Sequence, residues 1–252
     1  MTPTSESEFM NKIIKRLGRN TVPTEAPKRN LVGSEGLVHS SLPTSTPTWS
    51  AQLLQKQLVN DPLDPQDWMH LAEIFCRELE EVGGHGAIIS LSEAPNALDK
   101  LIIEHHIQSA IKWEDPWLHS LDLDKVLQDR GVVLYTWGEE KEITKATIAQ
   151  ATLGITSAPY AIAETGSLVV IGDAQSGRSV SLLPPVHVAF VPYKRIHLRA
   201  ASVLLDLQKE KMKSAVNFIT GPSRTSDIEM DSTIGVHGPK YVYIYIIIDE
   251  NK

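Results

Sequence analysis

The chain has 252 residues, 42% hydrophobic and 22% charged, enough to bury a sizeable core in one large domain or two small ones. A formal net charge of −7 with no basic cluster argues against a nucleic-acid partner, because counterion release needs a surplus of lysine and arginine. The single cysteine, Cys76, excludes an intramolecular disulfide and any cysteine-ligated cluster held by this chain alone.

In chain order, residues 6–18 space Phe9, Ile13, Ile14 and Leu17 along one face of a short helix. Residues 19–48 are rich in Pro, Ser, Thr and Gly, a composition that cannot offset ordering entropy by burial. Residues 1–48 therefore read as an amino-terminal helix on a flexible linker, and residues 49–252 as the folded domain. The amino terminus lacks the basic region and apolar run of a secretory signal. The longest apolar run, residues 241–248, is far short of the about 20 residues a membrane helix needs. The expectation is a cytoplasmic protein with no membrane span.

Residues 65–82 place Trp68, Leu71, Ala72, Phe75, Leu79 and Val82 at helical spacing, and Gly83-Gly84 ends the helix. Cys76 falls on its apolar side and reads as an inert buried thiol. Short β-like runs then alternate with helical segments. The runs are 87–90, 110–113, 132–136, 155–158, 168–171, 186–191, 216–219 and 242–248, and helices fit at 95–107, 122–129, 141–151 and 198–212. This alternation predicts an α/β fold, a mainly parallel sheet with flanking helices. Between residues 154 and 191 the strands come without long helices, which predicts an antiparallel insertion. The last strand alternates tyrosine with aliphatic residues from Tyr241, so one face is apolar and the other carries phenols.

Three clusters carry candidate chemistry. In Ala161-Ile-Ala-Glu-Thr-Gly-Ser167 a carboxylate stands at a strand end beside a hydroxyl and a glycine that permits a sharp turn. In an apolar surround Glu164 would be raised by desolvation, a general acid/base or nucleophile; the plainer alternative is that it pairs with an arginine or caps a helix. In Leu182-Leu-Pro-Pro-Val-His-Val-Ala-Phe190 two prolines enter a strand, one X–Pro bond being a candidate for cis, and His187 is either a base or a satisfied structural residue. In the third, residues 217–239, a strand stops at Gly221-Pro222 and delivers Ser223, Arg224 and Thr225 into a turn. Crevices beyond the carboxyl ends of strands are where α/β proteins bind ligands. Arg224 can fork onto a carboxylate or phosphate, and His237 stands on a second turn before Gly238-Pro239. Ser226 and Glu229 have the spacing of a capping box, which would only start a helix. His105 and His106 sit side by side in a helical segment, pointing about 100° apart, and cannot share one metal. No zinc pattern, nucleophile elbow or Gly-rich phosphate loop is present.

Taken together, Ile162-Ala-Glu-Thr-Gly166, Leu183-Pro-Pro-Val-His187, Gly221-Pro-Ser-Arg-Thr-Ser-Asp-Ile-Glu229 and Gly235-Val-His-Gly-Pro239 resemble the lactate utilisation protein C family, in which a LUD domain carries these motifs in this order. The resemblance covers roughly residues 50–248; Ser226 stands where alanine is common in that family and Ser167 where threonine is common. It implies a NagB/RpiA/CoA-transferase-like α/β fold and a non-redox role in oxidising L-lactate to pyruvate. Two partner proteins would carry iron–sulfur clusters, with no cofactor in this chain. The expected pocket holds a small carboxylate or other anion: Thr165, Gly166, Ser223, Arg224, Thr225 and His237 bind it, while Glu164 or His187 moves a proton. Two alternatives stand beside this one. One is an interaction module without its own active site. The other is an acyl- or CoA-transferring enzyme, because Glu164-Thr-Gly166 is similar to the Glu-x-Gly turn of CoA transferases.

Overall fold

The computed structural model describes residues 63–138, 148, 150–173, 176–209, 214–225, 233–235 and 237–249. The expected helix at 6–18, the boundary near residue 48, most of the helix expected at 141–151 and the Ser226–Glu229 pair lie outside the described residues.

Helix α1, Pro65–Glu81, begins where its caps dictate. Asp67 N–H donates to Asp64 Oδ1 at 2.8 Å, Asp64 N–H donates back to Asp67 Oδ2 at 3.2 Å, and Pro65 occupies a position that needs no amide hydrogen. Its buried stripe is Leu71, Ala72, Ile74, Phe75 and Leu79, and Gly83 at φ +78° turns the chain out of it. In order there follow β1 (His85–Ser90), α2 (Ala94–Glu104), β2 (Ser109–Trp113), α3 (Pro116–His119), α4 (Leu123–Asp129), β3 (Val133–Trp137), β4 (Leu153–Ser157), β5 (Tyr160–Ile162) and β6 (Ser167–Gly172). The chain continues with α5 (Ser179–Leu182), β7 (Val186–Pro192), β8 (Ile196–His197), α6 (Ala200–Lys209), β9 (Ala215–Ile219), β10 (Arg224–Thr225), β11 (Thr233–Ile234) and β12 (Tyr241–Ile248).

Six strands form one sheet in the order β1-β12-β7-β4-β2-β3, and every pairing in it is parallel. A second sheet, β8-β5-β6-β9, is the antiparallel insertion, with β6 antiparallel to both β5 and β9. This is the expected α/β architecture, a mainly parallel sheet with flanking helices and an antiparallel insertion. The eight expected strands are all present. The four unforeseen ones, β5, β8, β10 and β11, have three residues or fewer, too short to show a period.

Alternation along the parallel strands sends residues to two faces, each covered. On one face, Lys112 of β2 is buried with its Nζ 2.5 Å from Asp124 Oδ1 of α4, and Tyr243 of β12 meets His105 at the end of α2. On the other, a Cβ on Gly86 of β1 would lie 2.9 Å from Cys76 Cα of α1, and one on Gly154 of β4 would lie 2.0 Å from the Val180 carbonyl of α5. Burial at the α1 contact pushes the Cys76 thiol up to about 11, as an inert thiol requires. Ala161, Leu168 and Val170 of the insertion join this main core. Its opposite face, Tyr160, Ile162, Val169 and Ile171, forms a smaller core with Val203 of α6.

Candidate functional site

A cavity of about 450 Å³ opens at the carboxyl ends of three neighbouring parallel strands, lined by Trp113 at the end of β2, Ser157 at the end of β4 and Pro192 at the end of β7. In α/β sheets this is where the chain leaves each strand and side chains converge. Asp115 enters from the β2–α3 turn, Trp117 from α3, Tyr160 from β5 and Arg195 from the turn after β7.

Local structure fixes each of them. Asp115 caps the short helix α3, taking the Trp117 N–H on Oδ1 at 2.7 Å, while the Ser157 hydroxyl donates to its Oδ2. The Trp113 indole N–H donates to the Gly177 carbonyl at 3.0 Å. Tyr160 packs edge-on to His197 with ring centroids 5.4 Å apart. His197 is held below its ordinary value mainly by burial, with the Arg195 charge adding to the effect. Asp173 also lines the cavity, its Oδ1 receiving the Ser176 N–H at 2.8 Å. Arg195 is exposed at the mouth, and among the described residues its guanidinium makes no hydrogen bond or ion pair. The site thus offers aromatic walls, a carboxylate already oriented by two donors, and a cation available to an incoming anion.

None of the eight residues singled out in the sequence lines this cavity. They gather instead around the end of α1 and the amino ends of β1, β12 and β7. The motifs are tied to one another there. The Ser167 hydroxyl bonds Thr165 Oγ1 at 2.7 Å and Thr220 Oγ1 at 2.6 Å, joining the first motif to the third. Ser223 N–H donates to the Pro239 carbonyl at 2.9 Å and Gly235 N–H to the Ser223 carbonyl at 2.8 Å, joining the third to the fourth. The Pro185 carbonyl accepts from Lys240 N–H at 2.8 Å and Tyr241 N–H at 3.1 Å, joining the fourth to the second.

Individually, the residues do the following. Glu164 receives the Ala200 N–H on Oε1 at 3.2 Å at the start of α6, and its Oε2 lies 3.7 Å from Arg199 Nε. Pairing with an arginine and capping a helix, the plainer alternative, is what it does here; its side chain is 36% exposed rather than sunk in an apolar surround. Gly166, at φ +58°, lets the turn press on α1, where a Cβ would lie 2.4 Å from Leu79 N. The Arg224 guanidinium donates to the Val82 carbonyl at the C-cap of α1, a favourable place for a cation. Thr225 pairs with Thr233 in the β10–β11 ribbon, and His237 is exposed on the turn before Pro239.

His187 is fully buried on β7 between Gly154 of β4 and Val242 of β12. Its Nε2 lies 2.9 Å from Thr156 Oγ1, and Nδ1 has no hydrogen-bond partner among the described residues. Burial holds the imidazole down at about 4, so it is neutral at physiological pH. The peptide bonds before Pro184 and Pro185 are both trans. One sequence expectation needs correcting. The strand that stops at Gly221 is β9, which belongs to the antiparallel insertion, so the crevice rule for parallel strands does not apply to it. Applied to each parallel run in turn, that rule points to Ser157 at the end of one strand and to Asp115 and Arg195 just past two others, all three strands being ones that periodicity locates.

Residues 72–247 match the family model described as the LUD domain. The chain is 36% identical over 160 residues to a lactate utilization protein C of Halalkalibacterium halodurans, covering 61% of this chain and 68% of that protein. It is 37% identical over 162 residues to lactate utilization protein C 1 of Bacillus mycoides, again covering 61% and 68%. Among solved structures, a DUF162 family protein from Deinococcus radiodurans aligns at 18% identity with a TM-score of 0.49, over 74% of this chain and 100% of that one.

Proposed function

The chain belongs to the lactate utilisation protein C family, whose LUD domain it carries, and from that premise we propose that it is a non-redox subunit of a cytoplasmic L-lactate utilisation system. It holds a small carboxylate while two iron–sulfur partner proteins carry the electrons. The observation that carries the ligand part of this reading is the cavity at the carboxyl ends of β2, β4 and β7, with an arginine at its mouth that has no partner among the described residues and an oriented carboxylate inside. Oxidising a 2-hydroxy acid removes the hydroxyl proton and passes two electrons, with the second hydrogen, to an acceptor. Arg195 binds the substrate carboxylate in a charge-assisted fork, and Asp115 accepts a hydrogen bond from the 2-hydroxyl and then its proton. The chain's one cysteine is too few for a cysteine-ligated cluster of its own, which supports the reading that clusters belong to partner proteins.

Glu164, His187 and Arg224 enter this reading as frame: Glu164 holds the start of α6, His187 ties β7 to β4, and Arg224 holds the end of α1. Acyl transfer through Glu164 has weaker geometric support, because its carboxylate lies outside the cavity and is turned to Ala200 and Arg199.

The test is lactate-dependent dye reduction by the two iron–sulfur partners, purified without oxygen, with and without this chain. Activity is expected only when the chain is added, and to be lost with Arg195→Gln. Partners that run equally well alone would overturn the reading.

A further inference from the structure

Lactate has six non-hydrogen atoms. A cavity of about 450 Å³ has room for about fifteen water-sized groups at roughly 30 Å³ each, which leaves most of it empty around lactate. The walls around that space are mixed. Trp113, Trp117 and Tyr160, with Pro159, Ile171 and Pro192, supply its apolar part, and the charged groups are Asp115, Asp173 and Arg195. Pockets that orient a ligand with a few polar groups and hold it by aromatic and aliphatic walls are built for molecules with a sizeable apolar part. Flat aromatic walls favour a flat partner, through offset or edge-on ring contacts.

Resting on the reading of this cavity as a carboxylate site, we propose that its preferred ligand is a 2-hydroxy acid bearing an aromatic side chain. The headgroup is the one lactate has. Its carboxylate sits on Arg195, and the 2-hydroxyl donates to Asp115, whose oxygens are preset by the Trp117 N–H and the Ser157 hydroxyl. The aryl group fills the space walled by Trp117 and Tyr160. Tyr160 is itself seated, 6% exposed and braced by the edge of His197, so that wall stands before any ligand arrives. The aromatic acid and lactate differ only in the ring, so the ring's contribution reads directly as a ratio of affinities.

The experiment is calorimetric titration of the full chain with L-lactate and L-3-phenyllactate, repeated on Trp117→Leu and Arg195→Gln. Burial of a phenyl ring predicts that phenyllactate binds tighter by roughly tenfold or more. Trp117→Leu should shrink the phenyllactate-to-lactate affinity ratio, and Arg195→Gln should weaken both. If lactate binds and phenyllactate binds no better, the aromatic preference is wrong and the carboxylate site stands. If neither acid binds, the carboxylate site falls and the preference with it. If Trp117→Leu does not fold, the ratio of the two acids on the unaltered chain decides.

Discussion

The two ends of the parallel sheet are built from different kinds of sequence. At the amino end, the motif residues are glycines, prolines and hydroxyl residues, and their polar groups are largely spent on each other. Gly166, Gly221 and Gly83 let three turns close on the last turn of α1, where added Cβ atoms would lie 2.4 Å from Leu79 N, 3.0 Å from Val82 Cγ2 and 3.0 Å from the Arg224 guanidinium. At the carboxyl end the residues look ordinary in sequence. There Asp115 and Asp173 line open volume while held by bonds within the fold, and Arg195 has no hydrogen-bond or ion-pair partner among the described residues. A memorable motif can therefore mark close packing, while the groups with unspent bonding capacity lie past unremarkable strand ends.

The contrast is open to direct attack. The largest effect is expected at Gly166→Ala, which places a Cβ 2.4 Å from Leu79 N at a φ of +58°. It should cost roughly 2–4 kcal/mol in urea denaturation. A variant as stable as the original would remove the packing account of the amino end.

Next comes His187. The unfolded chain takes up a proton near pH 6.5, whereas the buried imidazole does not until about 4. Stability is therefore full above pH 6.5 and falls as the pH drops toward 4, by up to about 3 kcal/mol. Burial also holds His105 and His197 down, and both act in the same direction. Denaturation midpoints measured from pH 7 to pH 4 should thus fall less steeply in His187→Gln, without becoming flat. An unchanged slope would contradict the buried neutral imidazole.

Arg224→Ala is smaller. Losing its bond to the Val82 carbonyl should cost about 1 kcal/mol and leave carboxylate binding intact. If binding or lactate use vanishes while folding holds, the amino end is a ligand site and the contrast breaks.

The smallest effect on stability is expected at Arg195→Gln, within about 0.5 kcal/mol by thermal denaturation, because no described partner is lost. The same variant should weaken binding of small carboxylates about tenfold or more by titration. A variant that is destabilised but binds normally would exchange the roles of the two ends.

Periodicity and punctuation determined a good deal by themselves. The stripe from Trp68 to Val82 makes α1 whatever surrounds it, because side chains three and four residues apart share a helix face. The eight longer strands, and the absence of long helices among the described residues between 154 and 191, are equally local facts. What the sequence could not express is which strands become neighbours. Tyr241–Ile248, last in the chain, lies between β1 and β7, and that choice brings Lys240 to Pro185. Whether a polar residue keeps its bonding capacity is also a tertiary matter. Glu164 and Arg195 both follow short runs beside a tight turn, yet one is engaged by Ala200 and Arg199 while the other faces a cavity assembled from residues distant in the chain. Side-chain type and spacing are local properties, but desolvation and pairing depend on what the rest of the chain packs alongside.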